Sequence, residues 1–229
     1  MTVARTVDVA ARTVRRDAFL DAAQRLIQTK GYEQMSVQDV LDALETSRGG
    51  FYHYFDSKLE LLEAVVERFA DAGMAAIVPI LDDPKLPALR KLEKVVGGLA
   101  RFKAGRKDLV VALIEVMNSD GNALFREKLR RMTASRTQGI LSRIIRQGIQ
   151  EGEITTRWPD ETARILVLMI QGYQDLGAQQ FIDRHANRIS FDEVKRTYGA
   201  MSDAIERILG VPAGSLRLVD DATLHFWFD

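Results

Sequence analysis

Between Ser47 and Tyr54 the chain gathers a hydroxyl, a guanidinium, two glycines, two phenols and an imidazole into eight consecutive residues. Such groups recognise; they do not break bonds. The Arg48 guanidinium can bond O6 and N7 of a guanine together. Ser47 opens a helix whose free N–H groups are suited to a phosphate. Gly49 and Gly50 leave no side chain between a helix and a groove, and Tyr52, His53 and Tyr54 can bond phosphate oxygens or touch thymine methyls. Lys58 would hold a phosphate and fix orientation without reading sequence. With Ser36 and Val37 at the start of the preceding helix, these residues form the candidate face for double-stranded DNA.

The elements that must position this face follow from apolar spacing. Phe19, Ala22, Ala23, Leu26 and Ile27 fall on one stripe of a helix expected over 14–29, and Gly31 is a natural left-handed stop. Ser36 with Asp39 reads as a capping box for a second short helix that buries Val37, Val40, Leu41 and Leu44. Glu45 and Thr46 form the turn, and Ser47 or Thr46 caps a third helix with Phe51 and Phe55 pointing inward. Ser57 and Glu60 repeat the capping pattern before a leucine-rich fourth helix ending near residue 72. Two short helices about a tight turn make a helix-turn-helix, whose second helix enters the major groove.

Pro79, Pro84 and Pro87 predict a loop, because prolines at this density avoid helix interiors. Beyond it, turn signals divide helices expected at 86–104, 107–118, 122–152, 160–184 and 190–209. Leu216, Leu218, Leu224, Phe226 and Phe228 alternate around Asp220 and Asp221, which fits a short β-hairpin or a tail ordered against the helical body. The expected fold is therefore all-α. Residues 1–12 are expected as a flexible arm, 13–73 as the DNA-binding unit, and 74–229 as a larger helical domain.

Composition narrows the function. There is no cysteine among the 229 residues, which removes disulfides, thiolate zinc sites and cysteine nucleophiles. His53, His185 and His225 stand in no metal-ligand spacing, and no phosphate-binding loop or nucleophile elbow appears. No catalytic residue, metal or cofactor is expected. No run of eighteen apolar residues appears, so no membrane partner is expected, and the N-terminus does not read as a signal peptide. A cytoplasmic protein is the expectation. Bulk charge runs against a nucleic-acid partner: residues 1–73 hold nine Lys and Arg against twelve Asp and Glu, a net −3. Positive charge must act locally, through Arg12, Arg15, Arg16, Arg48 and Lys58.

The stretch from Thr13 to Gly73 resembles the tetracycline-repressor (TetR) family of bacterial transcription regulators. The resemblance is carried by Lys30-Gly31-Tyr32, Ser36-Val37-Gln38-Asp39-Val40, Ser47-Arg48-Gly49-Gly50-Phe51-Tyr52-His53-Tyr54-Phe55 and Ser57-Lys58-Leu59-Glu60-Leu61-Leu62. Two positions depart from the family pattern. Glu45 stands where glycine is usual, and Tyr54 replaces the usual histidine, with His53 one place earlier. The resemblance implies a repressor that binds a palindromic operator as a homodimer and is released by a small apolar or amphipathic effector. It implies a dimer bundle from the last two helices, where Leu166, Ile170, Gly177, Val194, Tyr198, Met201, Ile205 and Ile208 supply the seam; an ordinary intramolecular core is the alternative. It also implies an effector pocket, with Phe102, Phe125, Met132, Met169 and Tyr173 as apolar wall and Glu115, Asn118 and Gln171 as polar contacts.

Other readings stay open on sequence grounds. Residues 121–150 carry seven Lys and Arg against Glu127, either a solvated helix face or a second anion-binding surface, for instance for an acyl-CoA phosphate. A helical interaction module, or an enzyme-like ligand-binding protein without operator specificity, would also be all-α.

Overall fold

The computed structural model describes residues 2–229, with side chains from residue 10 onward except that of residue 120. Every element among the described residues is helical; no strand occurs. The first helix, α1 (Thr2–Lys30), begins twelve residues before the expected start, so residues 2–12 continue it and do not form a separate irregular arm. Then come α2 (Val37–Ala43), α3 (Arg48–Tyr52), α4 (Lys58–Leu81), α5 (Ala88–Ala104) and α6 (Lys107–Asn118). A 3-10 turn (Asp120–Asn122) leads into α7 (Ala123–Gln150), α8 (Pro159–His185), α9 (Phe191–Leu209) and α10 (Asp221–Phe228).

The chain forms two compact units. One comprises residues up to 72 together with Arg106–Phe125; the other comprises Gly73–Gly105 and Arg126–Asp229. The sequence placed a single boundary after residue 73. The structure instead packs α6 against α1, with Leu109, Ala112, Leu113 and Val116 on the buried face of α6. An amphipathic stripe announces that a face is buried but not which partner buries it.

The N-terminal unit closes around Phe19, Ala23 and Ile27 of α1, Val40 and Leu41 of α2, Phe51 and Phe55, and Leu61, Leu62 and Val65 of α4. The Phe19 ring meets Phe51 edge-on at 5.8 Å and Phe55 at 6.0 Å. Each such aromatic contact adds about 0.5–1.5 kcal/mol beyond area burial. Three rings from distant positions thus hold α3 to α1.

In the second unit Pro79 lies inside α4, near its end, where the sequence suggested a loop. A proline in a helix interior costs about 3 kcal/mol. Ile77 and Leu81, on either side, are both buried in the core of this unit, and each such burial returns about 1.5–3 kcal/mol. Packing wins. The buried Lys91 ammonium then caps the end of α4, donating to the Leu81 carbonyl at 3.1 Å and to Gln147 Oε1 at 2.8 Å. The start of α5 has no side-chain cap of its own, and carboxylates from after α7 take over. Glu151 accepts from the Ala88 N–H at 2.8 Å and Glu153 from the Leu89 N–H at 3.3 Å.

The tail corrects the hairpin expectation. Leu216 and Leu218 are buried in an irregular segment held by the buried Glu206 carboxylate, which accepts from the N–H groups of Gly214 and Leu216 at 2.9 and 2.7 Å. From Asp221 the chain is helical, capped by Asp220. Leu224 and Phe228 are buried while Phe226 is 42% exposed, a spacing of four and not of two. With only a few apolar residues the two periods are hard to separate.

Candidate nucleic-acid interface

Local rules build the helix-turn-helix. The Ser36 hydroxyl accepts from the Asp39 N–H at 3.1 Å, and the Asp39 carboxylate accepts from the Ser36 N–H at 2.7 Å, the reciprocal capping box. Both carboxylate oxygens of Asp39 also take Lys30 Nζ at 2.8 Å. These bonds, Lys30 first and Ser36 second, hold the Asp39 carboxyl far below the usual carboxylate range. Glu45 closes α2 with φ +47°, the left-handed conformation that glycine adopts without strain. Ser47 caps α3 by accepting from the Gly50 N–H at 3.3 Å.

The expected DNA-facing residues separate into two groups. Arg48, Gly49, Tyr52 and His53 are exposed and lie within one broad arc of the helical turn. Among the described residues Arg48 has no hydrogen-bond or ion-pair partner. A Cβ on Gly49 would meet Ser47 Oγ at 3.9 Å, an ordinary van der Waals contact, so this position is uncrowded. The remaining residues are engaged within the protein. A Cβ on Gly50 would stand 2.8 Å from Thr46 Oγ1, a hydroxyl fixed by Arg15 at 3.0 Å. Gly50 therefore serves the turn. Tyr54 is half-buried with its ring 5.6 Å from Phe19. Ser36 is spent on Asp39, and Val37 is half-buried. Arg16 lies over the Phe55 ring at 5.5 Å.

Lys58 also turns inward. Its ammonium donates to the carbonyls of Met35 at 2.8 Å and Glu33 at 3.3 Å, and sits 4.2 Å from the Tyr32 ring centroid. It ties α4 to the turn after α1. The Glu33 carboxylate in that turn accepts from Ser119 Oγ at 3.3 Å and Asn122 Nδ2 at 3.4 Å. Sequence reading missed this junction, because residues nearly ninety apart share no local signal.

The candidate effector residues fall in both units. Glu115 and Asn118 on α6 and the buried Phe125 belong to the N-terminal one, and Asn118 Nδ2 is spent on the Ile114 carbonyl at 2.8 Å. Phe102, Met132, Met169, Gln171 and Tyr173 belong to the second. Gln171 donates to the Arg130 carbonyl at 2.8 Å. The Tyr173 hydroxyl is buried without a hydrogen-bond partner, its ring 4.9 Å from Tyr198, and burial pushes its pKa well up.

The expected dimer seam is largely internal. Leu166, Val194 and Ile205 are 1%, 0% and 5% exposed within one chain. Ile170, Met201 and Ile208 pack on the main core, and Tyr198 packs on a smaller cluster with Val194, Leu224 and Phe228. Gly177 is half-buried beside the Tyr198 hydroxyl. The apolar side chains of α8 that do face outward are Ile165, Leu168 and Leu176, at 54%, 64% and 46% exposure. The basic run of α7 is paired: Arg130 with Asp175, Arg131 with Glu127, Arg143 with Asp82 and Arg146 with Asp160. Arg126, Lys128 and Arg136 are engaged as well. No described helix is long and apolar enough to cross a membrane.

Residues 19–65, which contain this helix-turn-helix, match the family described as bacterial regulatory proteins, tetR family. Over those residues the chain is similar to the TetR family. An HTH-type transcriptional regulator from Lactococcus lactis is 44% identical over 52 residues, which span 23% of this chain and 26% of that protein. The HTH-type transcriptional regulator YfiR of Bacillus subtilis is 24% identical over 200 residues, 85% of this chain and 90% of YfiR. In structure, a TetR transcription regulator from Haloarcula marismortui superposes with a TM-score of 0.63 at 19% identity, over 86% of this chain and 97% of that one. The helical fold of that regulator thus extends over most of the chain, while the family match covers residues 19–65. All three of these similar proteins are transcription regulators.

Proposed function

We propose that this protein is a cytoplasmic, ligand-responsive transcriptional repressor of the TetR family that binds a two-fold-symmetric operator as a homodimer. One observation carries the reading. Arg48 is exposed and unpartnered on a capped helix whose other edge is locked by Phe51, while Gly49 beside it leaves room for a base-pair edge. A side chain so placed is suited to bidentate reading of guanine. Tyr52 and His53 would flank it with contacts to phosphate or thymine.

One helix-turn-helix covers few base pairs, so two copies must bind half-sites about 34–36 Å apart. The outward Ile165, Leu168 and Leu176 of α8 support a face for the second copy, in place of the internal seam read from sequence. An effector pocket in the second unit is supported by the orphan Tyr173 hydroxyl, which a ligand acceptor would satisfy. A ligand there releases operator only if it binds the DNA-incompetent state better, so operator must weaken ligand by the same factor. Repression is the simplest outcome, since a dimer seated on an operator excludes other proteins without a further surface.

Selection from random double-stranded DNA tests the reading. The purified chain should enrich one palindromic site, and Arg48→Ala should relax preference at one or two symmetric positions. Recovery of no common sequence would leave a helical interaction module as the better account.

A further inference from the structure

The N-terminal unit contains an open groove of about 550 Å³ between the end of α1 and the face of α6, a volume within the range of small-molecule sites, roughly 300–1,000 Å³. Its α6 wall reads Asp108, Val111, Ala112, Glu115, spaced i, i+3, i+4, i+7 on one helical face. Two carboxylates thus stand about 10 Å apart along the axis, at 1.5 Å per residue, with apolar side chains between them. Ile27 on the opposite wall continues the apolar floor.

The charges of this groove are unbalanced in use. The Lys30 ammonium is committed to both oxygens of Asp39, and Lys107 is engaged as well. Glu33 Oε1 is held by Ser119 and Asn122. Asp108 and Glu115 are exposed and have no hydrogen-bond or ion-pair partner among the described residues. The groove therefore offers two free anions at its ends and an apolar middle.

The geometry points to a second ligand site in this protein, for a linear organic dication with an aliphatic middle, bound along α6 with one ammonium at Asp108 and the other at Glu115. Exposed ion pairs are weak singly, so recognition needs both ends and the chain between them. Length is then the signature. The site is distinct from the effector pocket proposed in the second unit, and its test requires no DNA, so its failure would leave the operator reading untouched.

Calorimetric titration at low ionic strength with 1,8-diaminooctane, 1,4-diaminobutane and octylamine decides the matter. The long diamine should bind at least ten-fold more tightly than either other amine. Asp108→Asn and Glu115→Gln should each reduce it to the level of octylamine on the unmodified protein, and the double variant should abolish binding. Both side chains are exposed and unpaired, so the variants should keep the parent melting temperature, which is measured alongside. Absence of binding, equal affinity for all three amines, or undiminished binding by the folded double variant would each overturn the site.

Discussion

Arg48 and Lys58 are cations ten residues apart on the same motif, and their surroundings assign them different work. Lys58 donates to two backbone carbonyls and lies over Tyr32. Hydrogen bonds to a charged group are worth about 1.5–3 kcal/mol each, less where water competes. Lys58→Ala should therefore lower stability by about 1–3 kcal/mol, seen as an earlier thermal transition, whether or not DNA is present. Arg48→Ala should leave melting within about 0.5 kcal/mol, as exposed substitutions do, and cost about 1–3 kcal/mol on the cognate operator. If the two variants melt alike, the division of roles is wrong. Asp39 gives a pH dependence. Its carboxyl titrates far lower in the folded chain than the unfolded value of about 3.9. A group depressed by folding stabilises above its unfolded pKa, and that contribution fades as pH falls below it. The melting temperature should drop on acidification below about pH 4, and Asp39→Asn should start lower and show a shallower acid limb.

At the scale of the elements, the turn between α2 and α3 carries backbone strain. A non-glycine residue in the left-handed region costs about 1–2 kcal/mol, and Glu45 is held there at φ +47°. Glycine relieves that cost but loosens the unfolded chain by about 0.4–1 kcal/mol. Glu45→Gly should thus stabilise the unit by up to about 1.5 kcal/mol in denaturant unfolding; a loss of stability would mean the Glu45 side chain contributes more than its backbone costs. The two glycines of α3 should part company in the same assay. Gly50→Ala forces Thr46 to rotate and break its bond to Arg15, and should destabilise. Gly49→Ala meets only Ser47 Oγ at an unstrained 3.9 Å, gains helix propensity of up to about 1 kcal/mol, and should weaken operator binding by crowding the groove. The local devices were legible in sequence because they are local: the Ser36–Asp39 box, the Ser47 cap, the left-handed Gly31 and the strained Glu45 all act within four residues. What escaped depends on partners far along the chain. Periodicity showed that α6 and α9 each bury a face, but not that α6 joins α1. Nor did it show that Val194 and Ile205 face the chain's own core. Lys58 read as a surface cation because its carbonyl acceptors lie more than twenty residues away.

For the whole molecule the question is which face meets a second copy. Val194, Leu166 and Ile205 already spend their apolar surface inside one chain, so substitution there should act on folding. Val194→Ala should cost about 2 kcal/mol through lost burial and an unfilled space, without changing the association state of the fraction that remains folded. Leu168 is 64% exposed, with Ile165 three residues before it and Leu176 eight residues after it along α8. A charge at its centre would have to be buried unpaired in an assembled interface, a cost of several kcal/mol, yet it meets only water in the separate chain. Leu168→Glu should therefore retain the helical spectrum and melt near the parent temperature at low protein concentration, while sedimenting as a monomer. It should also lose most operator affinity, since each half-site would have to be bound singly. A Leu168→Glu variant that sediments as a dimer would move the interface away from the outer face of α8, and with it the spacing at which two copies of Arg48 are presented to DNA.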